Sequence, residues 1–134
     1  MKYTEIKSND DINNFMNMYN CFHDSCIKEI HYISGAYVSD DGWMHPINNV
    51  RSVKIIIERQ AAKNANIELF FENVNELHLI PSNPKCDAII FHAFFEIEDN
   101  KFYWADWKEF KIGEQNLNMT WIISNKCSYR ILKR

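Results

Sequence analysis

The chain has no surplus of basic residues: 15 Lys and Arg stand against 18 Asp and Glu, for a formal net charge of −3. Nucleic-acid backbones and anionic membranes are held by basic surfaces, so this balance argues against both as general partners and suits a basic protein partner instead. No run approaches the ~20 apolar residues of a membrane span. The opening MKYTEIKSND lacks the apolar stretch of a secretory signal, which makes a cytoplasmic location the expectation. Strand–helix–strand rhythm is also missing, which excludes an α/β nucleotide-binding fold. No internal repeat, low-complexity tract or linker divides the 134 residues, so a single domain is expected over 1–134. Glycine and proline number only three each, and some of these mark turns: Ser39-Asp40-Asp41-Gly42 and Pro81-Ser82-Asn83-Pro84. The four cysteines could make two disulfides, but in a cytosolic chain of this size they are expected as reduced thiols.

Apolar residues make up 46% of the chain, enough for a sizeable core and against disorder. Residues 2–7 suit a short edge strand. Ser8 reads as a helix N-cap with Asp10 and Asp11 in the first turn, and Ile12, Phe15, Met16 and Tyr19 define one helical face ending near Asn20. Beyond Ser25 the pattern is β. Ile27 and Ile30 fall on opposite faces of a regular strand, so a bulge or a helical start is expected there. Trp43-Met44-His45-Pro46 starts a return strand, which Pro46 interrupts. Val53–Ile57 and Ile67–Phe71 alternate cleanly and should pair antiparallel across a connection at 61–66, with Leu77 and Leu79 continuing after a break at Asn73-Val74-Asn75. The alternation over 89–97, with the opposite face also partly apolar, predicts a strand that is central or covered on both faces. Asp99-Asn100 predicts a tight hairpin into Lys101–Trp107. Met119–Ile123 is expected to turn at Asn125-Lys126 into a last strand, Cys127–Ile131. The fold class is mainly β (α+β): an antiparallel sheet, sandwich or half-barrel of about seven to eight strands with one N-terminal helix.

Three stretches carry residues capable of chemistry. Cys21-x-His23-x-x-Cys26 has zinc-ligand types, but zinc sites use paired short-spaced groups and only one is present; Cys86 and Cys127 sit alone beside apolar strands and read as packing residues. His23-Asp24 matches the doublet of helical metal phosphohydrolases, which need further ligands that a β-rich chain does not supply. A Cys–His nucleophile from Cys21 or Cys26 with His31, His78 or His92 would need a fold that joins them. The preferred reading is that His23-Asp24-Ser25 fixes the bend from helix to strand, Asp24 and Ser25 satisfying backbone N–H groups and His23 orienting Asp24. His92 reads as a core histidine. In Phe102–Trp107, alternation puts Phe102, Trp104 and Asp106 on one face and Tyr103, Ala105 and Trp107 on the other; either face covered by a second layer is packing, and an exposed one is a stacking or docking surface. The candidate binding residues are His23, Asp24, Ser25, Trp104, Asp106 and Trp107. No catalytic residue, metal or cofactor is assigned.

The order of a short helix, Phe22-His23-Asp24-Ser25, an Ile-rich strand, and then Ile67, Leu69, Phe71, Val74 and Leu77 in IELFFENVNELHL resembles small bacterial proteins similar to immunity proteins of polymorphic toxin systems. The resemblance covers about the first 80 residues. It implies a non-enzymatic protein that binds and blocks a cognate toxin and uses no cofactor. The alternative is a small-ligand or carbohydrate-binding β domain using Trp104, Trp107 and Trp43. A homodimer is a further expectation, since edge strands must be paired or protected.

Overall fold

In the computed structural model, which describes residues 2–60 and 66–133, the one α-helix among those residues is followed by a short 3-10 turn (Asn20–Phe22) and capped by Ser8. Its backbone is extended and its hydroxyl accepts from the Asp11 N–H at 3.1 Å, so α1 (Asn9–Met18) starts where the sequence predicts. Ile12, Phe15, Met16 and Tyr19 are buried along one face. The helix stops two residues early. Asn20, Cys21 and Phe22 take positive φ angles of 50°, 54° and 63°, a conformation that costs a non-glycine residue of order 1 kcal/mol. Burial of Phe22 against Phe15 and Trp104, at ring separations of 5.6 and 5.9 Å, offsets that cost.

The remaining elements are β1 (Thr4–Ile6), β2 (Ser25–Ile33), β3 (Tyr37–Val38), β4 (Met44–His45), β5 (Ser52–Arg59), β6 (Asn66–His78), β7 (Phe94–Glu98), β8 (Lys101–Ala105) and β9 (Trp121–Leu132). Seven of them form one antiparallel sheet in the order β2-β5-β6-β9-β8-β7, with β1 also on β9; β3 and β4 form a separate hairpin. The longest pairing is β6 with β9. On its other side β9 is shared end to end, Trp121–Ser124 pairing with β8 and Cys127–Tyr129 with β1. One sheet face carries Val53, Ile55, Ile57, Ile67, Leu69 and Phe71 in register, each buried. Side chains of this kind stabilise by about 1.5–3 kcal/mol each when fully buried. The helix covers this face, Phe15 lying 4.6 Å from the Tyr129 ring and 6.1 Å from Phe95. A smaller cluster of Ala105, Phe110 and Met119 packs with Phe94, Tyr103, Trp107 and Trp121. Elsewhere the buried Glu68 carboxylate is held by Arg130 Nε at 3.3 Å and by the Tyr3 hydroxyl.

The β2 bulge lies between Ile27 and Glu29, and Asp99 and Asn100 turn the β7–β8 hairpin with φ of 50° and 61°. Three expectations are corrected. The strand predicted over 89–97 is a strand only from Phe94, and it lies at the sheet edge. Residues 90 and 93 give their backbone groups to Cys21, Asp24 and Ser25 instead of a neighbouring strand, leaving Ile89 57% and Phe91 60% exposed. Asn125-Lys126 is not a turn: β9 runs straight through it, opposite Glu72. Those two residues are polar because they sit in the gap between β8 and β1. The break at Asn73–Asn75 is a bulge inside one continuous β6, with Asn73 at φ 52°. Of the connection expected at 61–66, Asn66 already belongs to β6 and the rest lies outside the described residues. Among the described residues no helix is long and apolar enough to cross a membrane.

Candidate interaction surface

Among the described residues, the bend at His23-Asp24-Ser25 is held by backbone bonds and not by the Asp24 and Ser25 side chains. The Asp24 N–H donates to the Ile90 carbonyl at 3.0 Å, and the Ser25 carbonyl accepts from the Ile90 N–H at 2.7 Å. Asp24, at φ 61°, tolerates the left-handed turn that this requires. His23 Nδ1 does lie 3.2 Å from the Asp24 carboxylate, but both side chains are well exposed and the pair contributes little. Ser25 is buried.

Trp104 is fully buried, with 0% exposure, edge-on to Phe22, so it is not available to a ligand. Its neighbour in the motif, Trp107, is only half-buried. A residue that sequence reasoning did not select, Phe91, joins Trp107 to His23: the Phe91 ring is 5.3 Å from His23 and 6.2 Å from Trp107, with Lys108 Nζ 5.7 Å from the Trp107 ring. Asp106 stands apart from this row. Its N–H donates to the Thr120 carbonyl at 3.0 Å and its Oδ1 accepts from the Thr120 N–H at 3.1 Å. Burial pushes its carboxyl pKa up, and the Thr120 N–H pulls it partly back. Trp43, the third tryptophan of the carbohydrate reading, lies on the β3–β4 hairpin, and no ring contact joins it to Trp104 or Trp107 among the described residues.

The cysteines are all free thiols. Cys127 is a packing residue, and burial holds its thiol pKa well above the usual value. Cys21 packs partly against the core, whereas Cys26 and Cys86 are exposed, contrary to a purely packing role. Among the described residues no three His, Cys, Asp or Glu side chains are placed to hold a metal ion. His31 pairs with Glu29 at 3.5 Å, and His78 Nδ1 lies 2.7 Å from the Met119 carbonyl. His92 is half-buried, not part of the core.

The most exposed apolar surface lies in a region that the sequence showed only as turns and interrupted strands. Of fourteen large apolar side chains exposed among the described residues, eight fall between Tyr32 and Val50. They are Tyr32, Ile33, Tyr37, Val38, Trp43, Met44, Ile47 and Val50, with Trp43 72% and Met44 66% exposed. Singly exposed apolar residues are ordinary, but a concentration of them marks an interaction site. The arm that carries them is well defined. The Ser39 N–H donates to the Trp43 carbonyl at 2.9 Å, the Gly42 N–H to the Ser39 carbonyl at 2.8 Å, and the Tyr37 ring stacks on His45 at 4.5 Å. The Ser39 hydroxyl donates to the Asp41 carboxylate and lowers its pKa, keeping a negative charge at the tip. At the base, the Val50 and Arg51 N–H groups both donate to the Ser34 carbonyl at 3.1 Å. Gly35 is required there: its φ is +101°, and a Cβ would stand 2.3 Å from Asn49 Oδ1.

A sequence signal for this surface existed. Tyr37-Val38 and Trp43-Met44 put adjacent apolar residues on opposite faces of a two-stranded ribbon, and one core cannot cover both faces. Compared with family models, curated proteins and solved structures, the chain matches none.

Proposed function

We propose that the chain is a non-catalytic cytoplasmic protein that binds another protein through the β3–β4 arm, an immunity-type inhibitor of a cognate toxin. The observation that supports this is the apolar arm, rooted firmly at its base and left exposed among the described residues. Trp and Tyr, the residue types that dominate binding hot spots, are both present on it. Asp40 and Asp41 at its tip, with the net charge of −3, fit a partner that borders an apolar groove with Lys or Arg. The outer edge of β2, which leads into the arm, has no partner strand beyond the single Ser25–Ile90 bridge among the described residues. That leaves backbone groups able to extend the contact by strand addition.

The test is co-expression with the product of the adjacent gene, followed by an affinity measurement on the purified complex. The double variant Trp43→Ser, Met44→Ser removes two exposed side chains, so its circular dichroism should match that of the original chain. Its affinity should fall by about 30-fold or more, the consequence of losing a hot spot worth ~2 kcal/mol. Undiminished binding by this variant removes the arm from the interface. An adjacent gene product that neither binds nor is neutralised removes the immunity reading itself.

A further inference from the structure

A cavity of about 310 Å³ opens beside the β2 bulge, between that strand, the segment after β6 and the corner where Asp106 meets Thr120. Its size lies at the low end for small-molecule sites, about 300–1,000 Å³. The bulge between Ile27 and Glu29 accounts for its apolar wall, because the inserted residue lets Ile27 and Ile30 line the same space. The opposite wall is fixed by Thr120, which is buried. Its hydroxyl accepts from the Ile80 N–H at 3.1 Å and donates to the Ile80 carbonyl at 3.3 Å. Leu79, Ile80 and Ile90 complete the hydrocarbon surface.

One charge in this lining is uncommitted. Lys28 Nζ lies 3.8 Å from the Glu58 carboxylate, and Glu29 lies 3.5 Å from His31. Asp106 has no cation partner among the described residues, and its one side-chain hydrogen bond is the Thr120 N–H on Oδ1. A half-buried carboxylate without a counter-charge is unfavourable, as the upward push that burial gives its pKa shows. A ligand cation would relieve it; a ligand anion would add to it.

We propose that this cavity binds a small aliphatic primary amine, with its ammonium group on the Asp106 carboxylate and its hydrocarbon body against Ile27, Ile30, Leu79, Ile80 and Ile90. The same chemistry is offered by a free alkylamine and by a lysine side chain. The site shares no residue with the β3–β4 arm, and its β2 wall belongs to the strand whose outer edge is offered to the protein partner.

Methyl-detected NMR of the full chain tests it. Cyclohexylmethylamine should shift the Ile27, Ile30, Ile80 and Ile90 methyl signals saturably. Cyclohexylmethanol, of the same shape without the charge, should bind at least tenfold more weakly. Asp106→Asn, which keeps an acceptor for the Thr120 N–H, should abolish the difference between the two. Equal binding of amine and alcohol by the original chain overturns the proposal without any variant, and so does the absence of saturable shifts. Binding of Nα-acetyl-lysine methylamide as tight as that of the free amine supports the site and assigns it to a protein lysine. Exclusion of that peptide with retention of the free amine supports it and assigns it to a small metabolite.

Discussion

Asn9 protects one edge of the sheet, and its replacement should show this directly. It occupies the first position of α1, and its side-chain amide pairs with β7 as a strand would. Nδ2 donates to the Ile97 carbonyl at 3.1 Å and Oδ1 accepts from the Ile97 N–H at 3.1 Å. Each such bond has a net value of about 0.5–1.5 kcal/mol, with exposed ones at the lower end. Asn9→Ala loses both but gains helix propensity of roughly 0.6 kcal/mol. The expected balance is a destabilisation of about 0.5 kcal/mol, or roughly 2 °C in Tm for a domain of this size. Urea denaturation followed by circular dichroism should show a lower midpoint with an unchanged slope. Hydrogen exchange should show faster exchange at the Ile97 amide than its global stability accounts for. The bared edge should also promote concentration-dependent association in size-exclusion chromatography. An Asn9→Ala protein as stable as the original, with Ile97 exchange unaltered, would refute the edge-protection argument.

Two further substitutions test the core and the arm. The Tyr19 hydroxyl is buried without a partner among the described residues, and burial raises its pKa from 10.0 to about 12. Tyr19→Phe should therefore stabilise the fold by about 1 kcal/mol at neutral pH, and a loss of stability would contradict this. Because the folded pKa is raised, the stability linked to the neutral phenol is whole below pH 10 and is lost as pH rises through about 12. Denaturation at pH 7 and pH 11 should show a smaller alkaline loss in the variant; Tyr3, also raised to about 12 by burial and by its bond to Glu68, accounts for part of what remains. Gly35→Ala places a Cβ 2.7 Å from the Val50 backbone nitrogen at a φ of +101°. It should cost more than ~1 kcal/mol and perturb the amide signals of the arm while leaving those of β5 and β6 in place; unperturbed arm signals would show that the base is not rigid.

What could be read from the residues was local. The Ser8 cap, the bulge forced by Ile27 and Ile30, and the Asp99-Asn100 turn depend on neighbours a few positions away, and all three are present. Residues 89–97 and 125–126 were misread because their state depends on distant elements. The first surrenders its ladder to Cys21, Asp24 and Ser25, and the second lies where β9 passes from one partner to another. Trp104 could not be told from Trp107 by alternation, since both faces of β8 are covered and burial ranks them. Phe91 became part of the His23 row only because its segment left the sheet. The surroundings of Asp106 were invisible for the same reason: Ile27, Ile80 and Thr120 are far apart in the chain and meet only in the folded molecule.

The sharing of β9 has a consequence for how the molecule is made. β2, β5 and β6 can pair as soon as they are synthesised, and so can β7 and β8. Among the described residues β1 pairs with β9 alone, and β9 is the one strand that pairs with both strand groups. A ribosome therefore releases two half-sheets and a waiting N-terminal strand before the strand that unites them. Assembly of the whole sheet is expected to be a late, long-range step, slower than the helix and hairpins that precede it. Until then, the edges of β6 and β8 that β9 will cover stand open, and in this interval the chain is most exposed to pairing with another copy of itself.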